Sequence, residues 1–260
     1  MFDVLKNRLF QGHRTSKFPK GSVELPERFR GLPVMDESKC PDGCHACAEA
    51  CPTRAILTDP LRIDLGACLF CPLCEEACPE GAIHFTQDHR LAVSKREDLH
   101  MGADDSLKLA SALDKKMKKL FGRSLKLRQV SAGGCNGCES ELVALGNVVF
   151  DLQRFGMQFV ASPRHADGLV ITGPVTVNMR RALIETYAAT PDPKIVIAIG
   201  ACALSGGPFA GAEACLGIPP EISVDLYVPG CPPHPYTILD GLLRLLGKLD
   251  EPPKDRDRHS

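Results

Sequence analysis

Eight cysteines fall between Cys40 and Cys78, and they are laid out as a duplication. Cys44, Cys47, Cys51, Pro52, Ala55 and Ile56 recur at a constant offset as Cys71, Cys74, Cys78, Pro79, Ala82 and Ile83. Thiols this dense either cross-link or hold metal, depending on the redox compartment. The chain carries 13 cysteines, an odd number that cannot all pair internally. The opening MFDVLKNRLFQGHR lacks the long apolar core of a secretory signal and has no twin-arginine pair. No stretch approaches the ~20 apolar residues of a membrane helix. These features point to a reducing, cytoplasmic setting in which the thiols bind metal.

The spacings narrow the metal. The second half reads Cys68-x2-Cys71-x2-Cys74-x3-Cys78-Pro79, and the first reads Cys40-x3-Cys44-x2-Cys47-x3-Cys51-Pro52. A tight loop brings three successive thiolates to neighbouring corners of one iron–sulfur cubane. A four-cysteine zinc site instead uses two separated C-x2-C knuckles, so zinc is the weaker reading. The second run is that of bacterial ferredoxins, whose fourth cysteine serves the other cluster. Resemblance to two-cluster [4Fe–4S] ferredoxins implies one cluster on Cys40, Cys44, Cys47 and Cys78, and another on Cys68, Cys71, Cys74 and Cys51. The extra residue between Cys40 and Cys44 departs from the usual spacing, and Pro41 and Gly43 would absorb it in a turn. His45 reads as a solvent-facing loop residue, because the cysteine set is already complete.

Around this segment the chain divides into five parts. Residues 1–39 read as an extended basic arm, with Lys6, Arg8, Arg14, Lys17, Lys20, Arg28 and Arg30. Residues 40–85 form the cysteine-rich α+β unit. Residues 86–124 read as a polar connector with one helix near 104–121, from the period of Leu109, Leu113, Met117, Leu120 and Phe121. Residues 125–249 alternate short β-branched runs (LKLRQVS, FVAS, GLVITG, KIVIAIG, VDLYVPG) with helical stretches near 139–154, 176–189 and 235–249. That alternation predicts a mainly parallel α/β sheet. Residues 250–260, preceded by Lys248, read as a disordered tail. The net charge of −1 over 260 residues argues against a nucleic-acid binder.

Five cysteines remain. Cys135 and Cys138 lie in GGCNGC after LKLRQVS, Cys202 follows KIVIAIG, and Cys231 follows VDLYVPG. Ligands of an open α/β sheet gather at the carboxyl ends of its strands. These four thiols are therefore expected to converge on one edge. Neighbouring glycines, including Gly206 and Gly207, would let backbone amides approach cluster sulfurs. Cys215 reads as an uninvolved small thiol. Glu139 and Glu141 read as favourable charge at a helix N-terminus, with proton transfer the lesser alternative. His165 and His234 read as loop or interface residues.

GGCNGCE, SPRHADGLVITGPVT, IAIGACALSGG and VDLYVPGCPPHP resemble the small subunit of membrane-bound [NiFe]-hydrogenases of the formate hydrogenlyase type. That family is related to the twenty-kilodalton (B-type) subunit of NADH:quinone oxidoreductase, complex I. The resemblance covers about residues 125–249, and residues 1–100 resemble the accompanying ferredoxin-like subunit. It implies a flavodoxin-like domain fused to a ferredoxin-like one; the sequence offers no nickel site, Gly-rich nucleotide motif or nucleophile–base pair, so no complete active site is expected on this chain. It implies a third [4Fe–4S] cluster on Cys135, Cys138, Cys202 and Cys231, and a relay to a large catalytic subunit. Membrane-anchored subunits would join indirectly, placing the chain peripherally on the cytoplasmic face of the inner membrane. Asn136 and Gly137 separate Cys135 from Cys138, as in hydrogenases, whereas complex I subunits carry adjacent cysteines there. The alternatives are a complex I-like assembly without nickel and, in a different class, a free soluble ferredoxin.

Overall fold

The computed structural model describes residues 2–12, 14–103 and 105–249. The expected disordered tail at 250–260 lies outside the described residues. The elements run α1 Phe2–Gln11, β1 Pro33–Met35, α2 Ala46–Ala50, β2 Ile56–Thr58, β3 Leu61–Asp64, α3 Leu73–Glu76, β4 Ile83–Phe85 and β5 His100–Gly102. They continue as α4 Lys115–Phe121, β6 Leu125–Ser131, α5 Gly137–Ala144, β7 Met157–Phe159, β8 Gly168–Thr172 and α6 Val177–Ala189, and end as β9 Ile195–Ile199, α7 Ala201–Ser205, β10 Leu226–Val228 and α8 Pro235–Leu245.

The cysteine-rich half is built on the duplication. Each Cys-Pro pair is followed by a short strand that begins on an isoleucine, Ile56 in β2 and Ile83 in β4. β4 pairs antiparallel with β1, Met35 opposite Ile83, and β2 pairs antiparallel with β3, which pairs with β5. Met35, Ile56, Leu61, Ile63, Ile83 and Leu99 fill the space between these sheets. The arm therefore differs from the extended segment expected for 1–39. Phe2–Gln11 is a helix with no buried residue, and Pro33–Met35 is a sheet strand.

The connector helix is also shorter than its apolar period implies. Residues 105–114 are not helical, because their backbone bonds go elsewhere: Ala110 N–H donates to Ala92 O at 2.8 Å, and Leu113 N–H to Leu245 O at 2.9 Å. Asp114 starts α4 by accepting from Met117 N–H at 2.9 Å. Leu120 is half exposed, and Phe121 is buried.

The C-terminal half is a five-stranded parallel sheet in the order β10-β9-β8-β6-β7. This is the flavodoxin-like order, with the first strand inside the sheet and a switch point between β6 and β8. Every residue of β8 (GLVIT) and β9 (IVIAI) is buried, as expected of strands covered on both faces. Leu142 and Leu145 pack on one face with Ile238, Leu242 and Leu245 of α8. Leu183 of α6 packs on the other with Leu169, Ile171 and Val196. The stretch expected as one helix over 139–154 breaks after Ala144. Asn147 Oδ1 accepts from Val149 and Phe150 N–H there, so the chain turns and leaves Val149 exposed.

The two halves share an interface. Val93 and Tyr227 exchange backbone bonds of 3.0 and 2.9 Å. Leu204 and Tyr227 pack against the core of the cysteine-rich half, and Phe18 of the arm is buried in the other core. Arg154 holds the arm through Ser16 O at 2.7 Å and Phe18 O at 2.9 Å.

Candidate metal centres

Two cavities lie in the cysteine-rich half, each walled by three thiols of one run and one of the other. The first is lined by Cys40, Cys44, Cys47 and Cys78, with Pro79 and Ile83. The second is lined by Cys68, Cys71, Cys74 and Cys51, with Pro52 and Ile56. The cysteine before each proline is turned into the opposite cavity by the strand that follows it. The two crossing thiols have matching surroundings. Ala55 N–H donates to Cys51 Sγ at 3.2 Å, and Ala82 N–H donates to Cys78 Sγ at 3.1 Å. Phe70 N–H donates to Cys68 Sγ at 3.3 Å. His45 is exposed and bonds Thr58, outside both cavities.

The third group is gathered at the carboxyl ends of the parallel strands. Cys135 and Cys138 follow β6, Cys202 stands in the first turn of α7 after β9, and Cys231 follows β10. Glycines make room for them. A Cβ on Gly200 (φ +89°) would lie 2.4 Å from Cys138 Sγ, and one on Gly207 (φ +53°) would lie 3.1 Å from Cys202 Sγ. Gly200→Ala is therefore expected to cost about 2–5 kcal/mol through left-handed strain and overlap. A melting temperature within about 2 °C of wild type, an order-of-magnitude margin for a chain this long, would contradict this.

Seven of the twelve quartet thiols hold their protons more tightly than a free cysteine. Burial, followed by the other thiols around each site, pushes Cys40 and Cys47 up, and with the neighbouring Glu139 pushes Cys138 to about 12. Burial likewise pushes Cys68 to about 12, and Cys74 and Cys202 to about 11. Cys231 is raised by burial, then by Cys135, then by Cys71 of the second quartet, so the second and third sites are electrostatic neighbours. Four thiols that repel one another as thiolates suit a cationic centre, which displaces their protons on binding. Among the described residues, no three His, Cys, Asp or Glu side chains crowd one point closely enough for a single metal ion. The first two quartets are instead spread around cavities.

The remaining polar residues sort by contact. Glu139 is buried beside the third quartet, where burial opposes its charge. Hydrogen bonds from Thr172 Oγ1 (2.6 Å) and Ser131 Oγ (2.7 Å) outweigh that and lower its pKa. It is thus a held carboxylate as well as a first-turn charge. Glu141 is raised by burial. His234 caps α8 by accepting from Tyr236 N–H at 3.2 Å and is packed among Phe29, Phe150 and Tyr236. Its pKa is lowered to about 4, mainly by burial. His165 is exposed. Cys215 is not apart from the quartet: it stands near Cys202 and adds to the charge felt there. Its thiol donates to Pro174 O at 3.5 Å. That proximity depends on a loop return, the Thr176–Cys215 bridge, which has no local sequence signal.

A parallel sheet with a thiol quartet at its strand ends is an architecture for holding a redox centre, and known proteins place the chain within that class. Residues 135–245 match the family described as NADH ubiquinone oxidoreductase, 20 Kd subunit. A probable membrane-bound hydrogenase subunit mbhJ from Pyrococcus furiosus is 47% identical over 136 residues, covering 50% of this chain and 79% of that protein. The B subunit of NADH-quinone oxidoreductase from Heliobacterium modesticaldum is 44% identical, covering 49% and 74%. Formate hydrogenlyase subunit 7 of Escherichia coli is 44% identical over 153 residues, covering 58% of each chain. The chain belongs to this family of small oxidoreductase subunits.

Proposed function

We propose that the chain is an electron-relay subunit of a multi-subunit oxidoreductase, carrying three [4Fe–4S] clusters. Cys40, Cys44, Cys47 and Cys78 would hold the first. Cys68, Cys71, Cys74 and Cys51 would hold the second, in a ferredoxin-like domain over about 40–85 whose sheets are completed by β1 and β5 on either side. Cys135, Cys138, Cys202 and Cys231 would hold the third, in the flavodoxin-like domain over about 125–249. The observation that carries this reading is the run of three thiol quartets, with the second and third adjacent at Cys71 and Cys231. The fit is chemical as well as spatial. Amide N–H groups reach Cys51, Cys68 and Cys78, and such bonds tune cluster potentials. When bound, the clusters supply one-electron steps between a redox partner and a catalytic subunit.

The partner we favour is the large subunit of a [NiFe]-hydrogenase or formate hydrogenlyase-type complex. Asn136 and Gly137 between the first two thiols support it, as do the names of two relatives. The second reading, a complex I-like assembly without nickel, is favoured by the family match and the NADH-quinone relative. No described helix is long and apolar enough to cross a membrane, so attachment to the cytoplasmic face would come through partner subunits. Affinity isolation from native membranes through a tag on this chain tests the choice. A co-purifying large subunit with one nickel per chain is expected. A stoichiometric large subunit lacking nickel would select the second reading. The chain emerging alone would contradict both and leave the free carrier.

A further inference from the structure

The second and third quartets lie in different halves of the chain, and one side chain bonds to both surroundings. Arg96 opens the turn Arg96–Leu99. Its guanidinium grips Asp64 with two bonds, Nη1 to Oδ1 at 2.8 Å and Nη2 to Oδ2 at 2.6 Å. Its Nε donates to Leu204 O at 3.2 Å. Asp64 in turn shapes the loop that delivers Cys68. Its backbone oxygen accepts from Cys68 N–H at 3.0 Å, and its carboxylate accepts from Gly66 N–H at 2.9 Å. Leu204 lies two residues beyond Cys202 in α7. The guanidinium lies flat on Gly66, where a Cβ would come within 2.6 Å of Cζ. Arg96 and Asp64 are both largely withdrawn from solvent, at 22% and 19% side-chain exposure, so the pair is only lightly screened.

We infer that Arg96 is a positioning residue for the hand-over between the second and third cluster sites. It locks the Cys68 loop to the Cys202 helix and neutralises the Asp64 carboxylate that shapes that loop. The inference rests on the relay proposed above. In such a hand-over, in either direction, one cluster would be oxidised by one electron as the other is reduced, with no proton moved and no bond formed. Arg96 acts on this step in two separable ways. Its charge offsets that of Asp64, so that no unpaired carboxylate opposes the reduced, more negative state of the neighbouring clusters. Its planar fork fixes their separation, which a lysine ammonium on a flexible stem cannot do.

The test uses the full chain isolated anaerobically, as wild type, Arg96→Gln, Arg96→Lys and Gly66→Ala. Iron and sulfide are counted, potentials are titrated, and the EPR spectrum of the dithionite-reduced protein is read for magnetic interaction between clusters. All variants should keep wild-type iron. Arg96→Gln should lower both potentials and lose the interaction between the second and third clusters. Arg96→Lys should restore the potentials but not the interaction. Gly66→Ala, which only displaces the guanidinium, should lose the interaction with both partners still present. Wild-type spectra and potentials in Arg96→Gln would overturn the inference. So would loss of iron in Arg96→Lys and Gly66→Ala, which would make the residue merely structural. A wild type without three clusters would instead overturn the relay itself.

Discussion

Cys231→Ala is expected to remove the third cluster, leave the first two, and reduce turnover of the assembled complex to background. Outer partners of metal ligands alone are worth ~10–100-fold, and loss of a ligand thiolate exceeds that. The loop cannot offer a substitute. Gly230 is at φ +144°, with Pro233 so close that a Cβ would lie 2.4 Å from its Cα. The one spare thiol, Cys215, acts on Cys202, not on Cys231. Dithionite should still reduce the first two clusters, since the eight thiols proposed to hold them lie between Cys40 and Cys78. Cys215→Ala should keep near wild-type turnover. EPR and activity on both variants decide this. Full activity in Cys231→Ala, or loss of the third signal in Cys215→Ala, would show that the wrong fourth ligand has been chosen.

The crossed arrangement gives the second large effect. Cys78 follows the second run in sequence but lines the first cavity, and Cys51 follows the first run but lines the second. Cys78→Ala should therefore destroy the first cluster and spare the second. Cys51→Ala should destroy the second, the one beside Cys231, and abolish its magnetic interaction with the third. Turnover should collapse in Cys51→Ala, because no other site joins the first quartet to the third. If Cys78→Ala removed the second cluster and left the first intact, each run would hold its own cluster and the crossed assignment would fail.

What could be read before the structure was whatever is local. The Cys-x2-Cys-x3 spacings are local, and so are the β-branched runs that became β6, β8, β9 and β10. The gathering of Cys135, Cys138, Cys202 and Cys231 followed from one rule about strand ends. Errors arose where the chain's bonds are distant. The apolar period at 109–121 resembled one helix, but residues 105–114 bond to Ala92 and Leu245 instead. Pairing of Pro33–Met35 with Ile83–Phe85 joins segments on either side of the whole cysteine-rich stretch, and a three-residue run begun on a proline is too short to signal it. Helix α1 did carry a signal, with Phe2, Leu5 and Leu9 at helical spacing and Asp3 in the first turn, but the basic residues around it masked the period. Arg96 was unremarkable in sequence, since its partners lie 32 and 108 residues away.

The most direct test of three clusters on one chain is the iron and acid-labile sulfide content of the protein purified anaerobically. Three cubanes require about 12 of each per chain, with a brown colour and no stoichiometric zinc. Stoichiometric zinc with little sulfide, or iron near eight with the third quartet's thiols freely alkylated in the native protein, would contradict it.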